Sequence, residues 1–228
     1  MQIGAGVTIG AFCNIGKGVT IQNGVTLEPH VNIKGHTNID ENTHIFPFAE
    51  IGNDVASVRI GKRCHIREFT KIGICCIEDT KIEIKDDCYI MAYADIRSAV
   101  VIDQSCIITN NVVLHSNSRC GPKVIIGAKA TVAKNCIVGT GSMIGGVSTV
   151  KSNIPPFCLV EGFPLASIRG LNLIGMRRSF ENRESISHVK KAFMHLKKSQ
   201  FSASEAQKLL PSISDTRAKQ FVEFIASH

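Results

Sequence analysis

The stretch that decides the fold is IGAGVTIGAFCNIGKGVTIQNGVTLEPHVNI, residues 3 to 33, in which isoleucine or leucine returns at every sixth position. An amphipathic helix would place apolar residues three and four positions apart, and a half-buried strand would alternate them. The stretch follows neither pattern. A fixed period of six is a repeat signal, and this repeat is typical of a parallel β-helix.

The repeat extends far beyond this stretch. It keeps one register to Ile51, slips between residues 52 and 59, and restarts at Ile60. The second register continues to Val150, with only Glu78 and Cys120 out of type. A coil of three strands needs about eighteen residues, so the run predicts roughly eight coils, with one aliphatic side chain per strand pointing into a narrow prism.

Most of the nine cysteines fit the same repeat. Six of them stand four residues after an inward aliphatic position, where the repeat prefers small residues: Cys13, Cys64, Cys76, Cys88, Cys106 and Cys136. A free thiol there behaves as a small hydrophobe. Because the sequence has no CxxC pair and no Cys/His ligand spacing, we expect no metal and no cofactor.

The cellular location is also predicted from these features. The odd number of cysteines and the lack of a signal peptide favour a reducing compartment. The sequence has no run of about twenty apolar residues that could form a membrane span. We therefore expect a cytoplasmic protein.

The composition changes near Pro155 and Pro156, where the six-residue period ends. Helical spacing follows in SFENRESISHVKKAFMHLKKS, in SASEAQKLL after a cap at Ser202 or Ser204, and in DTRAKQFVEFIAS. The sequence predicts a β-helix over residues 1–155, a connector over 156–169 and an α-helical domain over 170–228. We expect the helices to cover one end of the prism, because its last coil would otherwise expose an apolar cross-section.

The predicted helical domain carries most of the positive charge. Residues 163 to 228 contain eleven Lys or Arg and five Asp or Glu, and the formal net charge of the chain is +7. Two interpretations remain open: a solvated helical surface, or a landing surface for an acidic partner or a phosphate. Nucleic acid is not an expected partner, since Trp is absent, Tyr is scarce and the sequence has no recognised binding motif.

Three segments carry a more specific resemblance. HVNIKGHTNIDENTHIFPFAEIG (30 to 52), IGKRCHIREFTKI (60 to 72) and GLNLIGMRRSFENRESI (170 to 186) resemble, in this order, segments of the UDP-N-acetylglucosamine O-acyltransferases of lipid A biosynthesis. Hexapeptide repeats occur in many acyltransferases, so the third segment discriminates best. The resemblance implies an all-β left-handed parallel β-helix with a C-terminal α-helical domain. It also implies a homotrimer with active sites between subunits, and transfer of a 3-hydroxyacyl chain from acyl carrier protein to a UDP-sugar.

The same resemblance exposes departures at the catalytic positions. The family takes the proton of the sugar hydroxyl with a histidine, which suits a general base near neutral pH. Here Ser98 stands at that position, and Asp95 stands where a neighbouring histidine would be. Other family histidines fall on Asn117 and Ala133, and a backbone glycine falls on Ser116. The loop from residue 52 to 59 is shorter than the family's and lacks its sugar-facing stretch.

Some positions of the resemblance are retained. Asn172, Arg177 and Arg178 match positions that contact the nucleotide and its diphosphate, and arginine is a natural phosphate ligand. Alternatively, the two arginines belong to the solvated basic face. His115 follows an inward leucine one coil beyond Arg97, so it is a candidate substitute base or a surface histidine. For Asp95 and Arg97, an ion pair is the simpler expectation.

Three functional hypotheses follow. The first is an acyltransferase of the lipid A type that is catalytically impaired or has an altered substrate. The second is a non-catalytic trimeric paralogue that binds a nucleotide sugar or acyl carrier protein. The third is a CoA-dependent sugar acetyltransferase, because GFPLASIR (162 to 169) also resembles the segment that closes the β-helix in those enzymes. The long helical tail disfavours the third.

Overall fold

The computed structural model describes residues 1–76 and 80–228. Glu78, one of the two positions at which the six-residue repeat lacks an expected aliphatic side chain, lies outside the described residues. The strands of the β-helix are short, and most have two residues. They are β1 (Gln2–Ile3), β2 (Thr8–Ile9), β3 (Asn14–Ile15), β4 (Thr20–Ile21), β5 (Thr26–Leu27), β6 (Asn32–Ile33), β7 (His36–Ile39), β8 (His44–Ile45), β9 (Glu50–Ile51), β10 (Ala56–Ile60), β11 (His65–Ile66), β12 (Lys71–Ile72), β13 (Thr80–Ile84), β14 (Tyr89–Ile90), β15 (Asp95–Ile96), β16 (Val101–Ile102), β17 (Ile107–Ile108), β18 (Val113–Leu114), β19 (Arg119–Cys120), β20 (Ile125–Ile126), β21 (Thr131–Val132), β22 (Ile137–Val138), β23 (Met143–Ile144), β24 (Thr149–Val150), β25 (Cys158–Glu161) and β26 (Ser167–Leu171).

These strands form three sheets that are the faces of a prism. Sheet A joins β1 to β22 in steps of three, sheet C joins β3 to β24 in the same way, and each has 8 strands. Sheet B runs from β2 through β23 to β25 and β26 and has 10 strands. Among the described strands, pairing is parallel from coil to coil except between β25 and β26, which pair antiparallel. The predicted parallel β-helix is confirmed.

The six-residue period has a direct structural cause. In a two-residue strand, the first side chain points outward and the second is buried in the prism, as with Tyr89 and Ile90. Successive coils are joined by backbone hydrogen bonds, such as Met91 N–H to the carbonyl of Ile108 at 2.7 Å. The small residue four positions later is buried as well, as Cys88 and Cys106 show. Each coil therefore needs one aliphatic and one small side chain on every face.

The two ends of the prism differ. At the N-terminal end, Ile3 and Ile9 are 46% and 41% exposed. At the other end, Val150 and Ile154 are 1% and 2% exposed. The C-terminal helices cover that end, as predicted, and Met176 belongs to the same buried cluster.

The helical part begins right after β26. It contains α1 (Leu173–Ser179), α2 (Glu184–Lys198), α3 (Ala203–Leu209), a 3-10 helix (Leu210–Ser212) and α4 (Thr216–Ser227). Ser202 is the N-cap of α3, one of the two predicted caps. Phe221 and Ile225 of α4 are buried, and Gln220 donates a hydrogen bond to the hydroxyl of Thr140 in the β-helix at 3.0 Å. In the described parts of the chain, every helix is too short or too polar to serve as a transmembrane span.

Candidate functional site

Asp95 and Arg97 form an ion pair on the outer face of sheet C. They flank the inward Ile96, so β15 directs both side chains outward. Nε of Arg97 donates to a carboxylate oxygen of Asp95 at 3.0 Å, and both side chains are partly exposed. The predicted ion pair is present. The carboxylate of Asp95 therefore fixes the direction of the guanidinium.

His115 lies one coil above and contacts the same arginine. Register pairing of Ile96 with Leu114 places His115 over Arg97, and Nη1 of Arg97 lies 3.1 Å from Nδ1 of His115. A guanidinium can only donate, so Nδ1 must accept and the ring proton must reside on Nε2. Burial, followed by the positive charge of Arg97, lowers the pKa of His115, and Asp95 offsets part of this effect.

Ser98 lies at the corner between sheets C and A. Its hydroxyl donates to the sulfur of Cys76 at 3.2 Å, and the hydroxyl of Thr80 donates to the same sulfur at 3.2 Å. Cys76 is 5% exposed. A serine hydroxyl engaged in this way is a weak acid with no basic character at neutral pH, so it cannot replace an imidazole as a proton acceptor.

The shortened loop is held tightly beside this cluster. Asn53 accepts the backbone N–H groups of Val55 and Ala56, at 3.2 and 2.9 Å, which closes a turn. Its amide also donates to the carbonyls of Ile74 and Cys76, at 3.2 and 2.7 Å. The turn therefore ends at residue 55, because residues 56–59 of the expected loop belong to β10 (Ala56–Ile60).

Asn172 has a structural role in addition to its predicted one. It is the N-cap of α1: its side-chain oxygen accepts the N–H of Gly175 at 3.0 Å, and its amide donates to the carbonyl of Gly141 at 2.9 Å. These bonds dock α1 on the corner between sheets A and B. Asn172 is 8% exposed, so a ligand would meet only the edge of its amide.

A cavity of about 550 Å³ lies between α1 and the outer face of sheet B. The outward side chains of three successive strands form an apolar floor: Ile107, Ile125 and Met143. Asn172 and Arg178 also line this cavity, and Lys123 provides a second cation. Arg177 is exposed but lies outside the lining.

The two clusters lie on different faces of the prism. Asp95, Arg97 and His115 project from sheet C, whereas the cavity opens on sheet B and its corner with sheet A. One protomer therefore does not bring the predicted catalytic positions together with Asn172 and Arg178. A site that uses both clusters requires two copies of the chain.

Sequence reasoning missed three features of this region. The sulfur of Cys76, taken only as a corner filler, is the partner of Ser98. The apolar floor repeats every eighteen residues, and this spacing in the sequence could have revealed it. Nothing in the sequence marks Lys123, because it lines the cavity only as a result of where α1 docks.

Comparisons with known proteins agree with this architecture. The family model described as "Bacterial transferase hexapeptide (six repeats)" matches residues 1–35, and the model described as "Udp N-acetylglucosamine O-acyltransferase; Domain 2" matches residues 153–228. A UDP-N-acetylglucosamine acyltransferase structure from Campylobacter jejuni superimposes with a TM-score of 0.91 at 31% identity, covering 99% of this chain and 91% of that one. A Francisella novicida UDP-N-acetylglucosamine acyltransferase gives 0.89 at 25% identity, with coverages of 99% and 87%.

Sequence relatives point the same way. The acyl-(acyl-carrier-protein):UDP-N-acetylglucosamine O-acyltransferase of Aliarcobacter butzleri is 37% identical over 164 residues, which are 67% of this chain and 62% of the relative. The protein of the same name from Nautilia profundicola is 33% identical over 193 residues, 80% of this chain and 74% of the relative. The match thus spans less than two thirds of the first relative and about three quarters of the second. The chain belongs to the UDP-N-acetylglucosamine O-acyltransferase family.

Proposed function

We propose that this protein assembles as a homotrimer that binds a UDP-sugar and acyl carrier protein, and that its acyl-transfer activity is strongly impaired. The substrate classes are those in the names of its relatives. The impairment is a property of this chain's own residues. Nine free thiols support a reducing compartment, and we place the protein in the cytoplasm.

One observation carries the impairment: Nδ1 of His115 accepts a hydrogen bond from Arg97. The other ring nitrogen then carries the proton, so His115 presents a donor to a substrate and cannot accept the proton of a sugar hydroxyl. Asp95 is paired with the same arginine, and Ser98 has no basic group. Loss of a positioned general base costs about 10²- to 10⁴-fold in rate.

The cavity at α1 supports binding of a UDP-sugar. A flat base can lie against the apolar floor of Ile107, Ile125 and Met143, and Lys123 and Arg178 can meet a diphosphate. An arginine fork pairs well with phosphate oxygens. The cavity size is also that of a small-molecule site.

The separation of the two clusters supports assembly. Because sheet B carries the cavity and sheet C carries Asp95, Arg97 and His115, face B of one copy must lie near face C of the next. This is a heterologous contact, which closes into a ring when its rotation is a whole fraction of a turn. We propose the trimer as that ring.

The basic surface of α2 supports docking of acyl carrier protein. Lys190, Lys191, Lys197 and Lys198 are all exposed on this helix. Clustered exposed cations attract an acidic partner and accelerate its association.

Calorimetric titration with UDP-N-acetylglucosamine tests the binding half of the proposal. We expect saturable binding that weakens at least about tenfold in Arg178→Gln, the loss expected for one charge-assisted phosphate contact. Arg183→Gln is the matched control, because Arg183 is exposed nearby and lies outside the cavity lining. If both variants bind like the wild type, the cavity is not the nucleotide site.

A further inference from the structure

Five aromatic side chains stack in one column on the outside of the β-helix: Phe12, His30, Phe48, Phe69 and Tyr93. Successive ring centroids are 5.0, 4.8, 5.0 and 4.9 Å apart, and neighbouring planes differ by 14° or less. Each ring belongs to a different coil. We call this column the aromatic ladder.

The ladder is built against local backbone preference. All five residues have positive φ, between 57° and 63°. This left-handed conformation favours glycine or asparagine and is uncommon for bulky residues. Other corners have the same conformation, some with glycine or asparagine, such as Gly24 and Asn42, and some with charged residues, such as Arg63 and Lys123. The use of an aromatic ring at the same corner in five successive coils indicates that the rings do more than turn the chain.

The ladder is also poorly buried within one chain. Phe12 is 82% exposed, Tyr93 55%, Phe48 45% and Phe69 41%. The ring faces cover one another, and their edges point away from the prism. A contiguous apolar patch of this kind on a protein surface marks a site of association.

The position of the ladder identifies its partner. Its residues lie between strands of sheet B and strands of sheet C, as Tyr93 does between β14 and β15, so the ladder is the edge where faces B and C meet. In a closed ring the neighbours of a subunit lie on its inner side, so two faces that both contact neighbours must turn inward. The edge shared by those faces then points at the symmetry axis.

The third face has the opposite character. Ion pairs cluster at sheet A and its corner with sheet B, including Arg59 with Asp40, Lys62 with Glu41 and Lys85 with Asp103. Sheet B presents the apolar Ile107 and Ile125 in its later strands and His44 and His65 in its earlier ones. The ion pairs fit a face A turned toward solvent, and the exposed rings themselves favour contact of the ladder with other copies of the chain.

We infer that three aromatic ladders, one from each copy, pack along the threefold axis and form a central apolar seam that holds the trimer together. This inference rests on the proposed assembly. It adds the residues that stabilise that assembly and fixes which edge of the prism faces the axis.

Symmetric cross-linking tests this inference, because a residue can be linked to its own copy in another subunit only near the axis. The single exposed thiol among the described residues, Cys75, is first replaced in Cys75→Ser. Phe48→Cys in that background is treated with a short bismaleimide, and Met194→Cys, on the exposed face of α2, is the control. Held thiols react at high effective concentration, so we expect covalent dimer at least about tenfold faster for Phe48→Cys.

The possible results separate the ladder from the assembly. A trimer by sedimentation whose Phe48→Cys form links no faster than Met194→Cys overturns the ladder's position and leaves the proposed trimer standing. A monomer overturns both. A second variant, Phe48→Glu with Phe69→Glu, places charges in the seam and should convert the trimer to monomers with an unchanged circular dichroism spectrum. A trimer that survives this change contradicts the inference.

Discussion

Arg97 donates to Nδ1 of His115 across two successive coils, at 3.1 Å, while its Nε pairs with Asp95 at 3.0 Å. His115 was a candidate substitute base from the sequence. Because its Nδ1 accepts from Arg97, its free nitrogen, Nε2, carries the proton and is a hydrogen-bond donor. This contact also gives a physical reason why the region that resembles a catalytic cleft should be slow.

The protonation of His115 is directly testable. Because burial and the charge of Arg97 lower its pKa, we expect nitrogen NMR to show a neutral ring with the proton on Nε2 at neutral pH. Arg97→Gln removes the positive charge and should raise this pKa. A signal for a proton on Nδ1 in the wild type would contradict the hydrogen-bond assignment.

The lowered pKa of His115 also makes the stability of the folded protein depend on pH. Since the folded-state pKa of His115 lies below its unfolded value of about 6.5, the unfolded chain binds the proton more tightly. The free energy of unfolding should therefore fall as the pH drops below about 6.5. It should level off once the pH is below the pKa of His115 in the folded state. Compared with wild type, His115→Gln should lose part of this acid sensitivity in urea unfolding measured between pH 7 and pH 5. Identical pH profiles for the two proteins would argue against the shift.

Restoring the family histidines should not restore the enzyme. Ser98→His, alone or with Asp95→His, supplies an imidazole, but the tight turn held by Asn53 remains, and the resemblance implies that a longer loop orients the sugar there. Orientation of the reacting groups contributes as much to rate as the base itself. We expect at most a small gain in acyl-transfer turnover. A gain of about 10³-fold, which a base alone can provide, would show that the loop is dispensable.

Docking of acyl carrier protein should depend on charge. Exposed charges are screened beyond about 8 Å at physiological ionic strength, so binding should weaken steeply with added salt. Reversal of Lys190, Lys191, Lys197 and Lys198 to Glu should abolish it in surface plasmon resonance. Reversal of Lys17 and Lys81, exposed lysines on the β-helix, is the control. Binding that ignores salt would remove this partner.

Loss of an inward isoleucine should cost less stability at the N-terminal end of the prism than in its middle. Ile90 is fully buried, whereas Ile9 occupies the equivalent position in the first coil and is 41% exposed. Ile90→Ala should cost about 2–5 kcal/mol in the free energy of unfolding. Ile9→Ala should cost clearly less in denaturant titrations at equal protein concentration. Equal costs would mean that another chain covers the first coil.

The period of six made the β-helix predictable because one aliphatic residue per strand is a steric necessity of a narrow prism. Helix caps and buried faces in the tail, such as Ser202 and Phe221, followed from ordinary helical rules. Contacts that join different coils were harder to foresee. The bond from Ser98 to Cys76 joins two coils in which Ile72 pairs with Ile96, a wider spacing than the usual eighteen residues, and the cavity at Arg178 depends on how α1 docks. The ladder begins with the eighteen-residue spacing of Phe12, His30 and Phe48, so its start was readable in the sequence.

The central claim is that the protein keeps the family's binding surfaces without its proton acceptor. A turnover assay with 3-hydroxyacyl carrier protein and UDP-N-acetylglucosamine tests it most directly, using protein that binds both substrates. We predict complex formation with product below detection, since loss of the base and of the positioning loop act together. Turnover by the wild type near about one per second, an ordinary enzymatic rate, would contradict the claim.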